Sequence, residues 1–312
     1  MADCFVTRSM PGGAEQRIIQ AGYSVEVWPE RTPPPAQVLK EKTTDSLGLI
    51  CMLTDPIDSD LLASASKLKV VSQMAVGCDN IDLDACKAKG IPVGNTPGVL
   101  TDATADLTMA LILSLARRLP EGGESVHSGR WITWEPDFLL GMELRDRTLG
   151  IIGSGRIGTA VAERAKSFGM KVISTGRPES ENSGLPLEQL LTTSDIVSLH
   201  CPLTEQTRGL VNDEFLAMMQ PHALLINTSR GPVVNQVSLA TALRNGVIAG
   251  AALDVTDPEP LPATDPLLES PNLIVIPHLG SATHRTREAM ANIAVDNLLA
   301  GLAGEPLPHR IA

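Results

Sequence analysis

A glycine-rich turn near the middle of the chain is the strongest constraint on the fold. The stretch "TLGIIGSGRIG" places it between a short apolar run and a segment of helical periodicity. Gly153, Gly155 and Gly158 have the spacing of a dinucleotide-binding turn: the first permits the tight turn, the second admits a pyrophosphate, and the third lets helix and strand pack. A helix starting here offers phosphates its N-terminal amides, including those of Arg156 and Ile157. The alternative is a turn with a purely structural role.

Strand-like and helix-like segments alternate on both sides of this turn, which predicts an α/β fold with two doubly wound parallel-sheet domains. Six strand candidates run from "TLGIIG" to "LIVIPH". We predict a Rossmann-type cofactor domain over residues 100–283. The final helix, near 283–301, is expected to return to the first domain. A flavodoxin-like substrate domain would then be discontinuous, over residues 1–99 and 284–312.

Composition excludes several classes of partner. A net charge of −11 over 312 residues argues against a nucleic-acid or anionic membrane surface. Five cysteines without a C-x-x-C pair indicate reduced thiols, as in the cytoplasm. We find no secretory signal and no apolar run near the roughly 18 residues of a membrane span. No His and carboxylate spacing indicates a metal site.

Four polar residues follow candidate strands of the second domain. Arg230 lies in "INTSRGP", Asp254 and Glu259 in "LDVTDPEP", and His278 in "IPHLGSAT". Open α/β sheets bind ligands at the carboxyl ends of their strands, so these residues are candidates for a site. Each alone also has an ordinary explanation, as a surface charge, a solvated carboxylate or a structural histidine.

The order of these motifs resembles that of the D-2-hydroxyacid dehydrogenases. The stretches "MAVGCDNID" and "GIPVGNTPGVLTDATADL" resemble the family's substrate loop and interdomain crossover. Within the family, "GRWITWEPDFLLG", "TGRP" and "HLGSATHRTRE" are most similar to glyoxylate/hydroxypyruvate reductases. The likeness covers nearly the whole chain.

The resemblance implies a role for each candidate residue. Arg230 would bind the carboxylate and keto oxygen of a 2-oxo acid through its planar guanidinium. The amides of Val76 and Gly77 would hold the same carboxylate from the other domain. His278 would protonate the carbonyl oxygen, and Glu259 would orient the imidazole and favour its protonated form.

The resemblance also implies further contacts. Asp254 would bind the nicotinamide carboxamide, and Ser281 would touch the substrate or support its loop. Trp134 lies with Trp131 in one polar loop, where it would either anchor the loop by packing or cross a homodimer interface to cap the partner's site. Other expected cofactor contacts are Pro202, Thr228 and Gly280.

The implied activity is hydride transfer to small 2-oxo acids, converting glyoxylate to glycolate and hydroxypyruvate to D-glycerate. The expected assembly is a homodimer with its active sites in the interdomain clefts. Two alternatives stay open: another D-2-hydroxyacid dehydrogenase, for example of the 3-phosphoglycerate type, and a dinucleotide-sensing protein related to transcriptional corepressors.

The sequence also bears on the choice of cofactor. An acidic residue usually follows the second strand of such a domain and binds the ribose hydroxyls. Here "KVISTGRP" has Gly176 at that position, followed by Arg177 and Pro178. Loss of the acid removes repulsion of a 2′-phosphate, and an arginine can pair with that phosphate. We predict that NADPH is preferred and NADH is also accepted. The alternative is that Arg177 is an exposed turn residue.

Overall fold

The computed structural model describes residues 2–176 and 184–312. Arg177 and Pro178 of the predicted cofactor site lie outside the described residues. The chain divides into two units, one formed by Met1–Leu100 with Ala282–Ala312 and the other by Thr101–Ser281.

A parallel sheet forms the centre of the first unit. Its strands are β1 (Cys4–Val6), β2 (Val25–Val27), β3 (Gly48–Cys51), β4 (Val70–Gln73) and β5 (Val93–Gly94). They are arranged in the order β2-β1-β3-β4-β5, the order of flavodoxin-like folds. Every residue of β1, β3 and β4 is buried, as expected of parallel strands covered on both faces.

Short helices connect these strands. They are α1 (Glu15–Gln20), α2 (Ala36–Asp45), α3 (Ser59–Ser64) and α4 (Leu83–Ala88). Asp58 and Asp82 cap α3 and α4, because each carboxylate accepts a hydrogen bond from a backbone amide of the first turn.

A second parallel sheet forms the centre of the other unit. Its helices and strands, in chain order, are α5 (Thr101–Ala116), α6 (Leu119–His127), β6 (Thr148–Ile152), α7 (Arg156–Ser167), β7 (Lys171–Thr175), α8 (Leu187–Thr193), β8 (Ile196–Leu199), α9 (Asp213–Met218), β9 (Leu224–Asn227), α10 (Gln236–Arg244), β10 (Gly250–Leu253) and β11 (Leu273–Val275). The six predicted strands are all present, in the order β11-β10-β9-β8-β6-β7.

The direction of this sheet's connections reverses beside β6. The chain passes from β6 to β7 on one side, and then to β8 on the other side of β6. Such a reversal opens a crevice at the carboxyl ends of the strands. The Gly153 turn follows β6 directly, so it lies at this topological switch point.

The last helix, α11 (His284–Ala303), belongs to the first unit. Thr283 caps it by accepting a hydrogen bond from the Thr286 amide. Gly301 permits close packing on β4, because a Cβ at this position would lie 2.5 Å from side-chain atoms of Val70. None of the helices in the described residues is both long and apolar enough to span a membrane.

Candidate active site

Three neighbouring strands bring the predicted polar residues to one edge of the second unit's sheet. Strands β9, β10 and β11 are adjacent and parallel. Their pairing continues past the strand ends, since the Asp254 amide donates to the Asn227 carbonyl and the His278 amide to the Asp254 carbonyl, both at 2.9 Å. The segments that carry Arg230, Asp254 and His278 therefore leave the sheet at the same edge.

His278 and Glu259 form a hydrogen-bonded pair at this edge. The distance between His278 Nδ1 and Glu259 Oε1 is 2.5 Å. Both side chains are partly exposed. The Glu259 carboxylate accepts a hydrogen bond from Nδ1, which leaves Nε2 on the opposite side of the imidazole ring. No described residue is hydrogen-bonded to Nε2. An imidazole held in this way can exchange a proton with a ligand through Nε2.

Asp254 holds the loop that carries His278. Its Oδ1 accepts a hydrogen bond from the Leu279 amide at 2.5 Å, and its Oδ2 accepts one from the Gly280 amide at 2.8 Å. His278 has a φ of 51°, a left-handed conformation that is uncommon outside glycine and needs such support. The absence of a side chain at Gly280 favours the hydrogen bond between its amide and Asp254, since a Cβ there would lie only 3.1 Å from Asp254 Oδ2.

Asp254 is 1% exposed, and this burial raises the pKa of its carboxyl group, while the two amides and nearby His278 oppose the rise. The role of Asp254 in holding the loop is not visible in the sequence. Each carboxylate oxygen has a second lone pair, so a contact with the nicotinamide carboxamide remains compatible with this role.

Asn227 organises the turn that carries Arg230. Its buried Oδ1 accepts hydrogen bonds from the Ser229 amide and hydroxyl at 3.0 and 2.8 Å, and its Nδ2 donates to the Arg230 carbonyl at 2.9 Å. The Arg230 guanidinium is half-buried and donates to the Ser229 carbonyl at 2.7 Å. Asn227 is not among the site residues predicted from the sequence. The feature that could have indicated it is an asparagine at the end of a strand, since asparagine often bonds nearby backbone.

The glycine turn fits a dinucleotide. Gly153 has a φ of 100°, and a Cβ there would lie 2.7 Å from backbone atoms of His200 and Cys201. A Cβ at Gly158 would lie 2.2 Å from the Gly153 carbonyl oxygen. A Cβ at Gly155, by contrast, would meet no described atom within 4 Å, so the backbone there faces open space. Arg156 and Ile157 begin α7 directly after it, and their amides suit a pyrophosphate.

The other predicted cofactor residues lie at the same edge of the sheet. Gly176 follows β7 directly, and exposed Pro202 follows β8. Thr228 follows β9, and its hydroxyl lies 3.1 Å from that of Thr108 on α5.

His200 also lies at the end of β8. Its Nε2 is 2.9 Å from the Ser198 hydroxyl, while its Nδ1 is buried and finds no partner among the described residues. Burial lowers the pKa of His200 to about 4, so its imidazole is neutral near pH 7.

The remaining predicted residues fall in both units. Val76 and Gly77 follow β4 in the first unit, and Val76 is exposed. Ser281 follows Gly280 in the second unit. Trp131 and Trp134 lie on the surface of the second unit, where Trp134 is 80% exposed. No group of His, Cys, Asp or Glu side chains in residues 2–176 and 184–312 is arranged to hold a metal ion.

Comparison with known proteins identifies the family. Residues 109–280, more than half of the chain, match the model of the D-isomer specific 2-hydroxyacid dehydrogenase, NAD binding domain. The chain belongs to this family. The dehydrogenase is 46% identical to human glyoxylate reductase/hydroxypyruvate reductase over 317 residues, which cover 98% of this chain and 97% of the human one.

Two solved structures are similar over almost their full length. The TT0316 protein from Thermus thermophilus matches with a TM-score of 0.94 and 46% identity, covering 99% of each chain. An NADPH-dependent glyoxylate/hydroxypyruvate reductase from Sinorhizobium meliloti, solved with NADP and malonate, matches with a TM-score of 0.87 and 32% identity. That match covers 99% of this dehydrogenase and 96% of the other chain. The predicted fold class and family are therefore confirmed.

Replacing Glu259 with glutamine tests the histidine pair in this dehydrogenase. The amide keeps the size of the carboxylate but offers only one oxygen to Nδ1, without charge, so the ring should be held less firmly. We expect kcat for reduction of a 2-oxo acid to fall about 10-fold to 100-fold, with little change in KM. Glu269→Gln, in the same unit and away from the pair, is the control. A kcat equal to that of the control would contradict a role for Glu259.

Proposed function

We propose that this dehydrogenase is a glyoxylate/hydroxypyruvate reductase, which forms glycolate from glyoxylate and D-glycerate from hydroxypyruvate. The observation that carries the proposal is the His278–Glu259 pair at the sheet edge where Arg230 also emerges. A proton donor and a guanidinium are the groups that reduction of a 2-oxo acid requires. The human relative has the same activity in its name.

Each residue has a distinct task in the proposed reaction. Arg230 binds the carboxylate and keto oxygen of the substrate and stabilises negative charge as it develops on that oxygen. His278 donates the proton from Nε2 to the same oxygen. Glu259 keeps the imidazole in position throughout. The nicotinamide, when bound, supplies the hydride.

Two further parts of the chain support this chemistry. In the second unit, Asp254 fixes the loop of His278, so the proton donor is placed before the substrate arrives. In the first unit, the amides of Val76 and Gly77 are donors suited to the substrate carboxylate.

A substrate panel tests the proposed activity. Purified protein with NADPH should oxidise the cofactor when given glyoxylate or hydroxypyruvate, and the loss of reduced-nicotinamide absorbance measures the rate. Greater kcat/KM for 3-phosphohydroxypyruvate would favour the 3-phosphoglycerate type of dehydrogenase. Nucleotide-dependent peptide binding without turnover of any 2-oxo acid would favour the corepressor-like alternative.

We further propose that NADPH is the preferred cofactor. Strand β7 ends at Thr175 and is followed by Gly176, so the position that usually repels a 2′-phosphate has no carboxylate. Arg177 comes next in the sequence and has the charge and fork geometry that suit this phosphate. The Sinorhizobium meliloti enzyme, which is described as NADPH-dependent, gives independent support.

Replacing Arg177 with alanine should raise the KM for NADPH about 10-fold to 100-fold and leave that for NADH nearly unchanged. Loss of one charge-assisted pair costs about 1.5–3 kcal/mol, which corresponds to this range. Gly176→Asp combined with Arg177→Ala should move the preference toward NADH, and Arg145→Ala, in the same unit, serves as the control. A wild-type protein that uses NADH better at equal concentration would refute the cofactor preference and leave the reductase proposal standing.

We also propose a homodimer. Several large apolar side chains are exposed on the second unit between α6 and β6, and clusters of this kind often mark protein interfaces. They include Trp131, Ile132, Trp134 and Leu140. The sedimentation coefficient of the purified protein tests this assembly.

Trp134 should restrict the size of the substrate if it covers the partner's site. Trp134→Ala should therefore raise kcat/KM for 2-oxo acids with bulkier side chains relative to that for glyoxylate. Equal relative efficiencies across a series of side-chain sizes would instead leave Trp134 as a packing residue.

A further inference from the structure

The backbone amides of Val76 and Gly77 point to the same side of their loop, because the carbonyls that precede them are both bound on the other side. The Ala75 carbonyl accepts a hydrogen bond from the Thr96 amide at 3.0 Å. The Val76 carbonyl accepts one from Asn95 Nδ2 at 2.8 Å. In a planar trans peptide the N–H points opposite to the C=O. Both amides therefore point away from residues 95–96.

These two amides have the properties of an anion-binding pair. Neither donates a hydrogen bond within the described residues of the first unit, and Val76 is 37% exposed. Asn95, on the opposite side of the loop, is only 8% exposed. Successive amides that point in one direction concentrate positive partial charge and bind anions such as a carboxylate.

Asn95 itself is held firmly through its backbone. Its amide donates to the His309 carbonyl at 3.1 Å, and its carbonyl accepts a hydrogen bond from Asn297 Nδ2 at 2.9 Å. The side-chain oxygen Oδ1 of Asn297 also accepts a hydrogen bond from the His309 amide at 3.0 Å. The side chain of Asn95 therefore extends to the Val76 carbonyl from a fixed base.

We propose that Asn95 is a positioning residue for the substrate carboxylate. By binding the Val76 carbonyl, it fixes the orientation of the next peptide group and so keeps the Gly77 amide directed at the ligand. The role rests on the proposed function, in which this amide binds the carboxylate of a 2-oxo acid. The carboxylate does not react, so its contacts are equal in the bound substrate and the transition state. Loss of such a contact raises KM and leaves kcat unchanged.

Asn95→Asp is the most direct test. Aspartate has almost the same shape, but a carboxylate cannot donate to the Val76 carbonyl and repels it. We expect KM for glyoxylate to rise about 10-fold to 100-fold, the loss typical of one hydrogen bond to a charged group, with kcat and KM for NADPH nearly unchanged. Asn95→Ala removes the donor without adding charge and should shift KM in the same direction.

A binding measurement makes the test independent of turnover. Oxalate is a carboxylate that the enzyme cannot reduce, and calorimetry in the presence of NADPH gives its Kd. The Asn95 variants should bind oxalate more weakly by about the factor seen in the KM for glyoxylate. Ser72→Ala is the matched control, because it removes a buried hydrogen bond of the same unit, from the Ser72 hydroxyl to the Ala294 carbonyl at 2.8 Å, without touching Asn95 or the Val76 carbonyl. It should lower Tm while leaving KM and oxalate affinity close to those of the wild type.

Three results would overturn the role of Asn95. The first is a folded Asn95→Asp or Asn95→Ala variant with wild-type KM and oxalate affinity. The second is a loss of kcat at constant KM. The third is an equal rise in KM in Ser72→Ala, which would indicate a general structural effect. A wild-type protein that neither reduces glyoxylate nor binds oxalate would instead refute the proposed function, and this role with it.

Discussion

Replacing His278 with alanine should lower the rate of glyoxylate reduction by roughly 10²–10⁴-fold, the usual cost of losing a general acid. In the structure, Glu259 is hydrogen-bonded to His278 at 2.5 Å, so the variant loses the imidazole that this carboxylate orients. The glycine turn and α7 lie elsewhere on the sheet edge, and NADPH should bind the variant with near wild-type affinity. The rate is measured under saturating substrate, and cofactor affinity by fluorescence titration.

His222→Ala is the matched control for this prediction. His222 is also hydrogen-bonded to a carboxylate, with 2.8 Å between its Nε2 and Asp195 Oδ1, but it lies on the surface of the second unit. Its replacement should leave kcat unchanged. Turnover by folded His278→Ala at the rate of the control would refute the assignment of His278 as proton donor.

The sequence predicted the fold class well because the fold depends on repeated local patterns. Each of the six strands of the second unit is an apolar run bounded by turns, and the glycine spacing identified which strand opens the cofactor domain. Short elements give a weaker signal of this kind: strand β5 of the first unit has two residues and α4 has six, too few to show a clear period.

The candidate site was predictable only in part. That Arg230, Asp254 and His278 follow strands is visible in the sequence. The bonds that hold them are not, because they depend on which strands are neighbours and in what register. Asp254 reaches the amides of Leu279 and Gly280 only because β10 and β11 are adjacent. The sequence separation of 25 and 26 residues gives no hint of these contacts.

Replacing Arg230 with lysine should lower kcat/KM for glyoxylate by about 10²–10³-fold, although the positive charge is kept. A guanidinium presents parallel N–H groups in a rigid plane, which can serve the carboxylate and the keto oxygen together, whereas an ammonium is a compact point charge. The substituted residue would stay on the turn that Asn227 organises, because Asn227 binds the backbone carbonyl of residue 230. The loss should therefore reflect the chemistry of the side chain.

The kinetic signature of Arg230→Lys should differ from that of the Asn95 variants. Charge develops on the keto oxygen during reduction, so a group that binds this oxygen stabilises the transition state more than the substrate, and kcat should fall together with a rise in KM. Arg244→Lys, at the end of α10, provides the control for the exchange of arginine for lysine in the same unit. If Arg230→Lys has the kcat of this control and differs only in KM, Arg230 holds the carboxylate alone, and stabilisation of the keto oxygen must come from another group.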